Sequence, residues 1–238
     1  MINLRNTFFT LAVVGLGAVS VPKAADAFTV IDRTGFTDTD FNNLRATGQF
    51  TELFVAESRI GNASLDPSER EFGINDASGT PVAAGDFWWA NNQSVNFTLE
   101  YTGSLVNYIV GGKTIDSVFS GSVTDIFLRT KSVADSTMAL SNLVFEGLGI
   151  SNLSSSGDDV DYLQISNITA PFTLSGTSLM LWSFTGAPPM RSNLAYQIKV
   201  GNSTPMESVP EPGTVGALLA AGVLSVGLKK KQKVVQSP

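Results

Sequence analysis

The chain has 238 residues, a length that fits one or at most two domains, and 43% of them are hydrophobic, which is typical of a globular protein. It contains no cysteine and no histidine, which excludes disulfides, thiolate chemistry, the Ser-His-Asp triad and every metal site that needs a Cys or His ligand. A net charge of −6 and a pI of about 4.6 do not fit the broad basic surface of a nucleic-acid-binding protein, so no nucleic acid partner is expected.

The N-terminal segment, residues 1–27, has the form of a secretory signal peptide. One early cation, Arg5, precedes an apolar stretch over residues 8–21, and Ala25 and Ala27 form the pair of small residues that signal peptidase accepts. We expect cleavage after Ala27 and export of the remaining chain. The alternative is a buried N-terminal core helix, which the early cation and the small-residue pair disfavour.

The next region, residues 28–208, is expected to form one extracytoplasmic β domain. It holds nine cationic and nineteen acidic residues, so its net charge is near −10. Apolar and polar residues alternate through 95–101, and a turn at 102–104 leads into an apolar run at 105–110. This pattern predicts a β-hairpin.

Several other segments have strand-like composition and are separated by turn sequences, among them Gly111-Gly112 and Ser154–Asp158. These predicted strands are Glu52–Ile60, Thr114–Phe119, Val123–Thr130, Leu140–Phe145, Val160–Ile165, Phe172–Phe184 and Tyr196–Val200. About eight to ten strands at this spacing favour an all-β fold, either a β-sandwich or a jelly roll. One helix is predicted at Asp38–Ala46, capped by Thr37 or Asp38.

Two adjacent tryptophans, Trp88 and Trp89, are candidates for carbohydrate contact. An indole face stacks against the apolar face of a sugar ring, and Asp86, Asn91 and Asn92 supply polar groups nearby. If this segment is a strand, the two side chains point to opposite faces. We therefore expect one tryptophan in the core and the other at the surface.

Three carboxylates, Asp158, Asp159 and Asp161, fall within four residues in a loop that leads into a strand. Hard oxygen ligands of this kind suit Ca²⁺, so the cluster is a candidate calcium site, although the spacing does not match an EF-hand. The alternative is a solvated loop in which the like charges have no ligand. No other cofactor is expected.

The C-terminal segment, residues 209–233, combines the motif Pro210, Glu211 and Pro212 with an uncharged stretch to Leu228 and a basic cluster. The cluster consists of Lys229, Lys230, Lys231 and Lys233, and residues 234–238 form a short tail after it. Seventeen uncharged residues lie between Glu211 and Lys229, which as a helix reach about 25 Å and just span a bilayer core. The positive-inside rule then predicts one transmembrane helix with a cytoplasmic C-terminus. The alternative is a core helix that ends in a basic turn.

This arrangement resembles the PEP-CTERM sorting domain of bacterial surface and exopolysaccharide-associated proteins. The resemblance implies that an exosortase, a membrane-embedded processing enzyme, removes the tail after the helix has held the protein in the membrane. The segments Phe87–Trp89, Val95–Tyr101 and Asn193–Val200 are also similar to the choice-of-anchor domains that precede such signals. That second resemblance implies a surface module and carries over no site residues.

These expectations describe an exported, noncatalytic protein of the bacterial envelope or exopolysaccharide matrix. Its expected partners are signal peptidase, the exosortase, the membrane before processing, and an exopolysaccharide. The alternatives are a lectin-like carbohydrate-binding module and a glycoside hydrolase that uses two carboxylates, a chemistry that needs neither His nor Cys. With nineteen acids in the domain, no spacing singles out a catalytic pair.

Overall fold

The computed structural model describes residues 28–61, 70–169 and 171–204. These residues form fourteen strands and one short helix. In chain order the elements are β1 Thr29–Asp32, α1 Asp38–Ala46, β2 Phe50–Ile60, β3 Arg70–Asp76, β4 Pro81–Asp86, β5 Gln93–Tyr101, β6 Leu105–Val110, β7 Lys113–Val118, β8 Asp125–Ser132, β9 Ser136–Phe145, β10 Leu148–Gly149, β11 Leu153–Ser156, β12 Asp159–Ser166, β13 Phe172–Trp182 and β14 Ala195–Ser203. The predicted all-β class is confirmed for the described part of the chain.

The strands assemble into two sheets. The first sheet has the order β1-β12-β8-β14-β2-β3-β4. The second has the order β10-β9-β13-β5-β6-β7, and β11 adds to it by pairing with β9. Every recorded strand pair is antiparallel, and the chain crosses between the sheets several times, so sequence neighbours such as β12, β13 and β14 alternate between them. The architecture is sandwich-like.

The main core lies between the two sheets. It includes Phe54 and Ile198 from the first sheet and Leu99 and Met180 from the second, all of them fully buried. Because the chain has no cysteine, burial of this apolar surface must supply most of the stability that a disulfide gives to many exported domains.

The predicted hairpin is confirmed as β5 and β6. Phe97 pairs with Val110 and Tyr101 with Val106, so the alternating apolar residues of β5 all face the core. Gly103 has a φ of +98°, a backbone conformation that only glycine adopts without strain, and it allows the tight turn between the two strands.

The predicted helix is also confirmed, with the same ends. Thr37 caps it, because its side-chain oxygen accepts a hydrogen bond from the Asp40 backbone N–H while the Asp40 carboxylate accepts one from the Thr37 backbone N–H. This reciprocal pair is a capping box. Of the two predicted capping residues, Thr37 is therefore the correct one.

Five strands were not predicted: β1, β3, β4, β10 and β11. They lie towards the edges of the sheets, are mostly short, and carry few large apolar residues; β4, for example, reads Pro-Val-Ala-Ala-Gly-Asp. The prediction of a turn at Ser154–Asp158 was wrong in its first half. Ser154, Ser155 and Ser156 belong to β11, where backbone pairing with β9 needs no apolar side chain.

Candidate functional site

The tryptophan pair follows β4 in an irregular segment and not on a strand, yet the expectation of one tryptophan in the core and the other at the surface is confirmed. The two side chains lie in opposite environments: Trp89 is 1% exposed and Trp88 is 57% exposed. The Trp89 ring packs 4.9 Å from Phe87 and 6.4 Å from Tyr196, measured between ring centroids. Trp88 is thus the one member of the pair with a face at the surface.

The polar neighbours of the tryptophans have structural contacts. The Asn91 side chain donates to the Trp182 carbonyl at 2.9 Å and accepts from the Trp182 backbone N–H at 3.0 Å. Lys113 donates to the backbone carbonyl of Asp86 at 2.7 Å. Asn91 therefore fastens the start of β5 to β13, which leaves fewer groups beside Trp88 for sugar hydroxyls than the sequence indicated.

The acidic run has partners in the backbone. Asp158 accepts from the Ala134 backbone N–H at 3.1 Å, and Asp161 accepts from the Tyr162 backbone N–H at 2.9 Å. Partial burial raises the pKa of Asp161, and the neighbouring charges of Asp32 and Asp159 act in the same direction. Within the described ranges no group of three or more acidic, His or Cys side chains is arranged to hold a metal ion. Calcium binding at these residues stays a prediction.

The sequence elements for export and sorting lie outside the described residues. They are Ala25 and Ala27 of the signal peptide, the motif Pro210, Glu211 and Pro212, and the basic cluster Lys229, Lys230, Lys231 and Lys233. Among the described residues no helix is long and apolar enough to cross a membrane.

Helix α1 packs on the outer face of the first sheet, away from the main core. Its one buried residue, Phe41, contacts Phe50 of β2, Phe127 of β8 and Tyr162 of β12, with ring centroids 5.1 to 5.9 Å apart among the four. We call these four residues the outer aromatic cluster. The three strands that contribute to it, β12, β8 and β2, lie within four consecutive positions of the first sheet, with β14 between β8 and β2, so the cluster fixes the helix over this part of the sheet.

An ion pair joins the start of this helix to the sheet. Arg129 of β8 donates from Nε to Asp38 Oδ1 at 2.6 Å and from Nη2 to Asp38 Oδ2 at 2.5 Å. The Tyr162 hydroxyl donates to Asp38 Oδ1 at 2.7 Å. Burial alone would raise the pKa of Asp38, but the hydrogen bonds from Arg129 and Tyr162 outweigh it and hold the pKa below its usual value. Asp38 is therefore a stable carboxylate that keeps Arg129 in place.

A lysine lies deep beside the same helix. The Lys199 side chain on β14 is 11% exposed, and its Nζ lies 4.7 Å from the Phe41 ring centroid, a cation–π contact. Its ion pair with Glu52 Oε2 spans 4.0 Å, and that oxygen is buried without a hydrogen-bond partner. Burial lowers the pKa of Lys199 and raises the pKa of Glu52, because both charges are poorly solvated. The Lys199 side chain has no hydrogen bond to any described residue.

These side chains surround a cavity of about 280 Å³ between α1 and the outer face of the sheet, which we call the helix-side cavity. Its lining residues are Asp38, Phe41, Asn42, Glu57, Arg129, Lys131, Tyr162, Ser192, Ala195, Gln197 and Lys199. Ala195 of β14 pairs with Lys131 of β8, and Gln197 pairs with Arg129. These four lining residues therefore lie close together on two neighbouring strands. The lining carries three cations and two carboxylates, although the domain as a whole is acidic.

A larger cleft of about 770 Å³ lies on the other side of the helix, between β8, β12 and the end of β14. Its centre is the buried Asp125, which accepts from Gln164 Nε2 and from the Ser166 hydroxyl at 2.6 Å each, and from the Thr124 hydroxyl at 2.7 Å. Arg33 donates to the Gln164 side-chain oxygen and completes the network. The polar side chains of this network therefore already have hydrogen-bond partners within the protein.

The arrangement of charges favours binding over catalysis. A general acid needs a carboxyl whose pKa is raised towards the working pH, but Asp38 has a lowered pKa. Glu57, the other carboxylate of the helix-side cavity, accepts from Gln197 Nε2 at 3.0 Å and lies 3.4 Å from Arg59 Nη1. Both carboxylates thus position neighbouring cations and amides.

Sequence reasoning missed the helix-side cavity. The sequence predicts Asp38 only as a residue at the start of the helix, it places Arg129 and Lys199 on predicted strands without a role, and it leaves Lys131 just beyond the predicted strand Val123–Thr130. A signal was present: Gln197 and Lys199 alternate with the buried Ile198 and Val200, which marks one polar face on a central strand. The cross-strand neighbours of that face could not be found without the sheet order.

Comparison with known proteins gives no relative. No protein-family model matches the chain, and no curated protein is significantly similar to it.

Proposed function

We propose that this chain is an exported, noncatalytic surface protein of the bacterial envelope or exopolysaccharide matrix. In this proposal a signal peptide ending at Ala27 directs export, a transmembrane helix holds the protein during sorting, and an exosortase recognises Pro210, Glu211 and Pro212. The folded β domain, which remains after processing, works by binding.

The observation that carries this proposal is that the described residues nearest the two predicted processing sites are packed into the domain. Phe28, the first residue after the predicted cut, packs its ring 4.8 Å from Phe145, measured between centroids. At the other end, Thr204 donates from its backbone N–H to the Gln49 carbonyl at 3.0 Å and from its hydroxyl to the Gly48 carbonyl at 2.9 Å. Cleavage after Ala27 and beyond residue 208 would leave both of these contacts in place.

The noncatalytic part of the proposal is supported by the contacts of the cavity carboxylates. Asp38 holds Arg129 and Glu57 holds Gln197, so neither is arranged as a proton donor beside a second free carboxylate. Retaining and inverting glycosidases need such a pair, with one member kept protonated. The proposed function is therefore that of a surface module with a binding face.

The test of sorting is to replace Pro210, Glu211 and Pro212 together by Ala in the host that carries the chain. This change leaves the apolar length and the lysines intact, so insertion should persist while removal of the tail should fail. We expect a membrane-bound form of full tail mass, whereas the unchanged protein should lose the tail and reach the surface. Intact mass and cell fractionation measure both.

A matched control replaces Met206, Glu207 and Ser208 by Ala, which changes the same number of residues and also removes one glutamate. This variant should be processed like the unchanged protein. If the motif variant and the unchanged protein carry the same tail and fractionate alike, the motif is not read by a processing enzyme and the sorting proposal fails.

A further inference from the structure

Two of the three lysines between residues 28 and 208 line the helix-side cavity. They are Lys131 on β8 and Lys199 on β14, and the third, Lys113, lies on β7 in the other sheet. The region carries a net charge near −10, so its composition does not predict a cavity with more cations than carboxylates. A local excess of cations in an acidic domain attracts an anionic ligand.

The three cationic side chains of the cavity differ in how many hydrogen bonds and ion pairs they already make within the protein. Arg129 is committed to Asp38 by two hydrogen bonds. The Lys131 side chain makes no hydrogen bond or ion pair with any described residue, and the Lys199 side chain has only the 4.0 Å ion pair with Glu52 and the face of Phe41. A buried ammonium with three donors and so few acceptors is costly unless something else accepts from it.

The remaining lining limits what this anion can be. Asp38 and Glu57 present carboxylate oxygens to the same space, and these would repel an inorganic polyanion such as phosphate or sulfate. Asn42, Ser192 and Gln197 add an amide, a hydroxyl and a second amide. Carboxylates and amides are the usual partners of hydroxyl groups, so the lining suits a ligand that has one negative charge and several hydroxyls.

The size of the cavity agrees with this chemistry. Its volume of about 280 Å³ lies at the lower end of the range for small-molecule sites, which suits a ligand of about the size of one sugar ring. The Ala195 side chain is small, which leaves space beside its cross-strand neighbour Lys131. Within the lining, Lys131 is half-buried, while Lys199 lies deeper.

We propose that the helix-side cavity binds a carboxylated sugar unit, a hexuronic acid, with Lys131 holding its carboxylate and with Lys199, Asp38, Glu57 and the amides donating to or accepting from its hydroxyls. The natural source is then an acidic polysaccharide, which this site engages one residue at a time. The inference concerns the folded domain alone and does not rest on the sorting signal, so the failure of either proposal leaves the other standing.

The test is a calorimetric titration of the purified protein, expressed from the full chain, with sodium glucuronate. D-Glucose is the matched neutral probe, and acetate and inorganic phosphate are the anion probes. We expect saturable binding of glucuronate, at least about tenfold weaker binding of glucose, and weakening with added salt, because a charge-assisted contact is screened. Acetate and phosphate should compete poorly, since they lack the hydroxyls.

Matched variants locate the site. Lys131→Met should weaken glucuronate binding about tenfold, the effect expected for one lost charge-assisted hydrogen bond, while Lys113→Met should leave it unchanged. The Lys131 side chain is half-buried and makes no hydrogen bond or ion pair with a described residue, so the Lys131→Met protein should fold. Lys199→Met is the second variant. Circular dichroism checks the folding of both.

Four results would overturn the inference: no saturable binding of glucuronate to the folded protein, equal binding of glucose, competition by phosphate or acetate as strong as by glucuronate, or equal affinities in Lys131→Met and Lys113→Met. The third result would indicate a general anion site.

Discussion

Adjacent side chains can differ completely in burial even outside a regular strand, as those of Trp88 and Trp89 do. Trp89 is 1% exposed and packs among Phe87 and Tyr196, whereas Trp88 is 57% exposed. Trp89→Ala should therefore lower the free energy of unfolding by about 3–5 kcal/mol, the usual cost of emptying an aromatic core position. Trp88→Ala should change it by less than about 1 kcal/mol. Urea unfolding of both variants measures the difference, and equal losses would contradict the assignment of Trp89 to the core.

The bond between Asp38 and Arg129 makes the stability of the fold depend on pH in a defined direction. The folded pKa of Asp38 lies below its ordinary value of about 3.9, so the unfolded chain binds more protons as the pH falls through that region. The contribution of Asp38 is complete above its unfolded pKa and is lost as the pH falls through the folded one.

Asp38→Asn should therefore destabilise the protein by about 1–2 kcal/mol at pH 7, a value reduced from that of a buried pair because Asp38 is half-exposed. The gap between the two proteins should narrow below about pH 4. Asp135→Asn, at an exposed turn residue, is the control and should behave like the unchanged protein. Unfolding followed at several pH values measures both. A gap that does not depend on pH would mean that Asp38 does not act through its charge.

At the scale of the element, the bulge in β14 shapes the strand that carries Lys199. The pairing register between β14 and β2 shifts between Val200 and Gly201. A Cβ at Gly201 would overlap the Thr51 carbonyl oxygen and would lie 2.8 Å from Phe50 Cζ. Glycine is required here because β2 approaches closely, and not because the φ is unusual.

Gly201→Ala should therefore lower the free energy of unfolding by about 1–3 kcal/mol, because backbone atoms of β2 must move. Gly149→Ala is the matched control, since a Cβ there meets no atom within 4 Å, and it should be neutral within about 0.5 kcal/mol. Thermal unfolding of the two variants compares them. An unchanged stability of Gly201→Ala would show that the two strands are farther apart than described.

The strands and the helix that could be predicted from the sequence are those with a strong local pattern. β5 shows strict alternation, and α1 has Thr37 and Asp40 in capping-box spacing, so local chemistry alone determined both. The short, weakly apolar strands such as β4 and β11 could not be predicted, because they form through backbone pairing with neighbours that are distant in sequence.

The candidate site was beyond sequence reasoning for the same reason. Arg129, Lys199 and Asp38 come from three elements, and they meet only because β8 and β14 are neighbours in the first sheet and α1 packs across them. Each residue could be placed on its own element from the sequence. The order of strands that brings them together depends on long-range pairing, which no local pattern encodes.

For the whole molecule, we propose that two processing events, one at each end of the chain, leave a folded domain between them. Phe28 is in contact with Phe145, and Thr204 is hydrogen-bonded to Gly48 and Gln49. The residues next to both proposed cuts are therefore part of the packed domain.

The most direct test of this account is the intact mass of the unmodified protein recovered from outside the membrane of its host. The account predicts a species that begins at Phe28 and lacks the apolar stretch and the basic cluster of Lys229, Lys230, Lys231 and Lys233. A surface or extracellular species whose mass corresponds to Met1 through Pro238 would contradict it, because the chain would then reach its destination with both ends retained.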